Sequence, residues 1–182
     1  MATPEQVALR ERFEAVINAP ENTDKRFEFI DGEVIEVPSN PYSSQLAVYI
    51  VAALFNFVDE RDLGHVTTEQ GGYVVDGWEF APDAAFVSKA RQHQLAKTGY
   101  NPIVPDLAVE VVSPSDTPGY IARKQQSYTN AGVTTWWFFP DVKLVEIHTP
   151  GKPLQTLGVD DMIDGGDILP GFQLPIKHIF RE

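Results

Sequence analysis

The sequence predicts an α/β (α+β) chain, and three observations carry that prediction. An apolar, β-branched run from Leu107 to Val112 is followed by a helix-period stretch from Tyr120 to Ala131 and a second apolar run from Val133 to Phe139. That order is a strand, a crossover helix and a parallel strand, with a right-handed crossover expected. Two Asp-Gly pairs, Asp31-Gly32 and Asp76-Gly77, lie between short strand-like runs and predict β-hairpins. Leu9, Phe13, Val16 and Ile17, and then Leu46, Ile50, Leu54 and Phe57, recur at helical spacing.

Taken in order, Thr3-Pro4-Glu5-Gln6 supplies an N-cap, a proline at the first helical position and a capping-box glutamine, so the first helix runs from there to about Asn18 to Pro20. Arg26 to Val37 forms the first hairpin, and in its second strand Glu33 shares a face with Ile35 and Val37. Asn40-Pro41 caps and starts a well-buried helix that runs to about Glu60. His65 to Glu69 and Gly72 to Val75 read as a pair of short strands, followed by the turn into Trp78 to Phe80 and a further strand, Ala81 to Val87. Ser88 to Pro102 is polar and is expected to hold a short helix and an exposed loop. Asp141 to Thr149, with Lys143, Val145 and Ile147 on one face, makes a hairpin with Trp136 to Phe139, and Leu154 to Leu157 adds a strand. The acidic, glycine-bearing stretch Asp160 to Asp167 lacks the alternating oxygen ligands and closing glutamate of an EF-hand loop, and reads as a solvated turn.

Composition bounds the picture. The 182 residues are 43% hydrophobic, with no repeat and no Pro/Gly-rich linker, so residues 1–182 are expected to form one domain. There are no cysteines, which excludes disulfides and thiolate metal sites. No long apolar run and no leader pattern is read, so a cytoplasmic protein with no membrane partner is expected. The net charge of -12 works against broad phosphate binding. A local basic rim from Lys89, Arg91, Lys97, Arg123 and Lys124 is still available to a polyanion.

The candidate chemistry starts at Glu110. Strand alternation puts it on the same face as Ala108 and Val112, where an unpaired carboxylate is costly, so a metal ion or a lysine should meet it. Lys124 lies three residues after Ile121 and four before Tyr128, on the inward stripe of the following helix. Asp83 precedes a small, apolar strand, and Glu33 is a second inward carboxylate by parity. The four histidines show no metal-ligand spacing. The plain structural alternative is a buried Glu110–Lys124 ion pair with Asp83 as a strand-end cap.

Asp31-Gly32-Glu33, Ala81 to Val87, Pro105 to Ser115, Lys124 with Tyr128 and Ala131-Gly132-Val133, Trp137, and Leu169 to Pro175 together resemble the Uma-two family, restriction-endonuclease-like proteins of the PD-(D/E)xK nuclease superfamily. The resemblance spans nearly the whole chain in the right order. It implies a restriction-endonuclease-like central mixed sheet flanked by helices, a Mg²⁺ or Mn²⁺ site made by Asp83 and Glu110, and a catalytic lysine at Lys124. The superfamily's commoner lysine position is occupied here by Val112, so Lys124 is a migrated lysine. The backbone carbonyl of Val111 and the side chain of Glu33 are further candidate ligands. Two positions depart from the family: serine stands at Ser43-Ser44 where members often carry histidine, and Phe139 precedes Pro140 where they tend to carry aspartate.

The implied activity is metal-dependent endonucleolytic hydrolysis of nucleic acid, DNA ahead of RNA, with Lys124 orienting or helping to deprotonate the attacking water. The competing class is a catalytically retired nuclease fold acting as a binding or scaffold protein. A hydrolase of small phosphoesters is a third option. Exposed apolar edges and the aromatic strand Trp136 to Phe139 suggest a homodimer.

Overall fold

The computed structural model describes residues 4–22, 25, 27–36 and 40–181, with side chains from residue 7 onward. The Thr3 cap, the Gln6 side chain, Arg26 and Val37 lie outside the described residues. A mixed sheet of six strands forms the centre: β3 (Gly64–Thr68), β6 (Ala84–Ser88), β7 (Leu107–Val111), β8 (Thr134–Phe139), β9 (Leu144–His148) and β10 (Gln155–Leu157). Its order is β10-β9-β8-β7-β6-β3, and only β7 and β8 are parallel. A smaller antiparallel sheet has the order β2-β1-β5-β4, from β1 (Phe27–Ile30), β2 (Glu33–Glu36), β4 (Tyr73–Val75) and β5 (Trp78–Phe80). The strands β11 (Met162–Asp164) and β12 (Gln173–Pro175) pair separately.

Three α-helices join these sheets: α1 (Pro4–Ile17), α2 (Pro41–Glu60) and α3 (Pro118–Asn130). Both long connections start as their sequences dictate. Asn40 Oδ1 accepts the Ser43 N–H at 2.9 Å, and Thr117 Oγ1 accepts the Tyr120 N–H at 3.2 Å, each ahead of a proline in the first turn. The cap at Thr117 is why α3 begins two residues before Tyr120.

Every side chain of β7 is buried, and alternation divides them between two cores. Leu107, Val109 and Val111 pack with Leu46, Ile50, Leu54 and Val58 of α2 and with the C-terminal Phe172 and Ile176. Ala108 faces the other way, with Tyr128 of α3, Trp137 of β8, and Ile30 and Phe80 of the smaller sheet. Burying each large apolar side chain is worth about 1.5–3 kcal/mol, so this packing, more than local propensity, holds the helices in place. By length and composition α2 is also long and apolar enough to cross a membrane. Here one of its faces forms half of the core described above.

The Asp-Gly turns behave as expected, with positive φ at Asp31 (51°), Gly32 (79°), Asp76 (52°) and Gly77 (84°), the backbone that two-residue hairpins require. Five details differ from the sequence reading. First, β3 and β4 do not pair with each other: β3 pairs with β6, and β4 pairs with β5. Gly64 lets β3 lie that close, since a β-carbon there would run into the Val87 carbonyl and sit 2.8 Å from Ser88 Cα.

Second, Ser88 to Pro102 forms no helix. Buried Asn101 organises it as a loop, donating from Nδ2 to Gln92 Oε1 and to the Ile103 carbonyl, both at 2.7 Å, and accepting the Ala96 N–H at 3.2 Å. Third, β8 is interior: Trp136, Trp137 and Phe138 are buried between β7 and β9, so this strand offers no homodimer surface. Fourth, in the helix α2 the deeply buried fourth residue is Val58, with Phe57 only half-buried.

Fifth, the acidic stretch, read as a solvated turn, instead contains the strand β11 with Ile163 buried, and turns flank it on both sides. Asp161 Oδ2 accepts the Gly158 N–H and Asp164 Oδ1 the Gly166 N–H, each at 2.7 Å, while Asp167 pairs with Lys152 at 2.7 Å. A β-carbon at Gly165 would press on the Leu169 carbonyl and lie 2.7 Å from Leu169 Cβ, which fixes glycine there.

Candidate active site

At the end of the central sheet where β3 and β7 finish and β6 begins, a cavity of about 410 Å³ opens between α2 and α3. Asp83, Glu110, Val111 and Lys124 all line it. Glu110 reaches it from the penultimate residue of β7, opposite Trp137 of the parallel neighbour β8. Lys124 comes from the middle of α3, where Tyr120, Lys124 and Tyr128 follow at four-residue steps and so share one helix face.

The Lys124 ammonium sits between two buried carboxylates, 2.9 Å from Glu110 Oε2 and 2.8 Å from Glu28 Oε1. Tyr128 donates its hydroxyl to Glu110 Oε1 at 2.7 Å, and Tyr120 donates to Glu28 Oε2. The Ala81 N–H adds a further bond to Glu28 Oε1 at 2.9 Å. The rings of Phe80 and Tyr120 lie 5.6 and 5.7 Å from the ammonium. Glu28, Glu110 and Lys124 are all at most 6% exposed.

Asp83 sits one residue before β6 starts, and its Oδ2 accepts the Val111 N–H at 2.7 Å. It therefore does what a strand-end cap does, satisfying a β7 donor where β6 supplies no partner. In an extended strand the N–H and C=O of one residue face the same edge, so the Val111 carbonyl also faces this side.

Electrostatics follow from burial. Burial pushes the Glu110 carboxyl up to about 8, against the attraction of Lys124 and with the repulsion of Glu28 and Asp83 added to it. Burial alone would pull Lys124 down, but Glu110 and Glu28 outweigh it and hold the ammonium well above its ordinary value of 10.5. The tyrosines are raised, Tyr128 and Tyr120 alike, first by burial and then by the neighbouring carboxylates.

A pH dependence follows from the Glu110 shift. Its folded value lies above its ordinary 4.5, so between about 4.5 and 8 the folded chain holds a proton that the unfolded chain has released. Stability should fall as pH rises through that window. In chelating buffer, thermal melts should show wild type losing stability relative to Glu110→Gln over it; a constant difference between the two would contradict this. The Lys124 contribution has the raised-base sign, complete below its ordinary 10.5 and lost only as pH climbs through its elevated value.

The structure brings together three of the residues singled out in sequence, Asp83, Glu110 and Lys124, together with Val111. Glu33 is not among them. It lies on the expected face of the hairpin, opposite Ile30, but one step past the turn, where solvent and Arg123 at 3.4 Å take it up; its side chain is 63% exposed and does not line the cavity. The buried acid from that hairpin is Glu28, which sequence reasoning missed. Its signal was the FEFI run, in which Glu28 shares parity with Ile30 between two phenylalanines. Of the residues at the family's usual histidine position, Ser43 and Ser44 line the cavity rim. None of the four histidines lines it; His65, for instance, bonds the His93 carbonyl at 3.0 Å.

The proposed basic rim is largely neutralised. Lys89 pairs with Asp62, Arg91 with Asp106 at 2.7 Å, and Arg123 with Asp31 and Glu33.

A family model described as "Putative restriction endonuclease", that of the Uma-two family, matches residues 10–177. The chain belongs to the Uma-two family. Among solved structures, this Uma-two protein is similar to a "putative nuclease belonging to DUF820" from Anabaena variabilis, at 18% identity and a TM-score of 0.78, over 92% of this chain and 96% of that one. At that identity the likeness is one of fold, and it matches the mixed sheet and flanking helices described above. No curated protein matches the chain.

The donor set suits a magnesium-type ion. Among the described residues no three His, Cys, Asp or Glu side chains gather into a complete metal cage. Mg²⁺ does not ask for one, since it keeps several waters and uses one or two carboxylates plus substrate phosphate. Asp83 and Glu110, with the Val111 carbonyl, match that pattern. A carboxylate has about four acceptor sites, so the bonds from Lys124 and Tyr128 still leave Glu110 room for a ligand.

Proposed function

We propose that this Uma-two protein is a metal-dependent endonuclease that hydrolyses phosphodiester bonds of nucleic acid, DNA ahead of RNA, with Mg²⁺ or Mn²⁺ held by Asp83, Glu110 and the Val111 carbonyl. The observation that carries the reading is a lysine ammonium fixed between buried carboxylates on the wall of the same cavity as Asp83. A fold gains little stability from such a cluster, because desolvation offsets most of the attraction, so its presence in a cavity points to chemistry. The family description and the nuclease-like fold support the same class.

When bound, the cation supplies positive charge to a phosphate oxygen and acidifies a water for in-line attack. The rest falls to the chain. Lys124 spends two of its three N–H donors on Glu28 and Glu110, which leaves one for the attacking water or a phosphate oxygen. Because those carboxylates hold it protonated, its part is to orient and to stabilise developing negative charge, and not to accept the proton. Tyr120, Tyr128 and Glu28 are positioning residues that fix the ammonium and the Glu110 carboxylate.

The retired-scaffold reading is favoured by one observation: Glu28, Glu110, Lys124 and Tyr128 already bond one another within the chain, as in a structural ion-pair network. Cleavage of labelled oligonucleotides separates the two. Wild type with Mg²⁺ or Mn²⁺ should cut, EDTA should stop it, and Asp83→Asn should reduce the rate by at least about a hundredfold, the scale of losing a metal-positioning ligand. Absence of any cutting by wild type with either ion would favour the scaffold.

A further inference from the structure

The helix α2 carries one apolar face buried in the core and a second that the core covers only in part, at Val51. Leu46, Ile50, Leu54 and Val58 are buried against the sheet. A second stripe, Val48, Val51, Ala52 and Phe55, follows the same helical spacing and lines the cavity that holds Asp83, Glu110 and Lys124. Two of its members are strongly exposed, Val48 at 60% and Phe55 at 52%. The opposite wall is acidic, and among the described residues that line the cavity Lys124 is the one cation.

This distribution of charge and apolar surface is wrong for a duplex. Duplex binding rests on many Lys and Arg contacts to the phosphates. Here Lys89, Arg91 and Arg123 are each paired with a carboxylate of the chain itself. It is right for a single unpaired nucleotide. A cavity of about 410 Å³ has the size of a small-ligand site. An aromatic ring beside a phosphate-cutting centre is the platform on which unpaired bases stack whatever their sequence.

We propose that the substrate enters as an unpaired, single-stranded segment, with a base laid against Phe55 and Val48 while the adjoining phosphate reaches Asp83, Glu110 and Lys124. This rests on the nuclease reading for its phosphate end and on the second face of α2 for its base end. Base recognition then replaces the phosphate clamp that the chain lacks, and double-stranded ends or mismatches are reached only after local opening.

The test is binding of a fluorescein-labelled oligothymidylate, alone and annealed to its complement, followed by anisotropy at low salt with Ca²⁺ in place of Mg²⁺. Mn²⁺ uptake is measured separately by calorimetry. The single strand should bind at least tenfold more tightly than the duplex. Phe55→Ala should weaken single-strand binding by about tenfold, Phe55→Trp should preserve it, and both should take up Mn²⁺ as wild type does. Phe55 is exposed, so neither change threatens the fold. Equal binding of duplex and single strand, no binding of either, or an unchanged affinity in Phe55→Ala would overturn the proposal, even if Mn²⁺ uptake upholds the metal site. Phe55-dependent binding of the single strand without Mn²⁺ uptake would uphold the base end of the proposal and overturn its phosphate end together with the hydrolytic reading.

Discussion

Lys124→Met should abolish hydrolysis and, at neutral pH, lower stability by about 3–5 kcal/mol, the usual consequence of removing one partner from a buried ion cluster. The substitution keeps a stem of similar length against Phe80 and Tyr120 but leaves Glu28 Oε1 and Glu110 Oε2 facing each other without the cation that both now touch. The loss should grow as pH rises through about 8, where wild-type Glu110 ionises beside the ammonium while the variant has no cation there to support the charge. Urea unfolding midpoints at neutral pH and about one to two pH units above 8 would read this directly. A variant as stable as wild type at neutral pH would mean that the cluster is far less coupled than its geometry implies.

Glu110→Ala should eliminate divalent-ion binding, with activity going with it. It also strips the Tyr128 hydroxyl of its acceptor and leaves Lys124 with Glu28 alone, at a cost of about 1–3 kcal/mol for the orphaned buried donor. Glu110→Gln is the companion variant: it retains an acceptor for Tyr128 and nearly the same volume while removing the charge. Calorimetric titration with Mn²⁺ should give a saturable heat in wild type and none in either variant. Wild-type affinity in Glu110→Ala would place the ion elsewhere.

Much of this site was legible because it depends on periodicity. The parity of β7 alone put Glu110 on the face of Ala108 and away from Leu107 and Val109, and the spacing of α3 alone turned Lys124 towards it. The Asp-Gly turns were legible for the same local reason. What the sequence hid was depth and long-range pairing. Glu33 and Glu28 share a hairpin face, and only the packing of the smaller sheet over α3 decides that Glu28 is enclosed while Glu33 meets solvent.

The same holds for β3, whose partner β6 lies across an intervening hairpin, and for the loop folded around Asn101, whose order comes from side-chain bonds that no periodicity announces. The second face of α2 was hidden by its own composition. Val48, Val51, Ala52 and Phe55 at helical spacing read as core until the fold shows which face is covered.

Anomalous diffraction from a crystal soaked in Mn²⁺ tests the central claim most directly. The account predicts one anomalous peak within coordination distance of the carboxylates of Asp83 and Glu110, with the Lys124 ammonium still beside Glu110. A crystal saturated with Mn²⁺ that shows no peak between those carboxylates would contradict it.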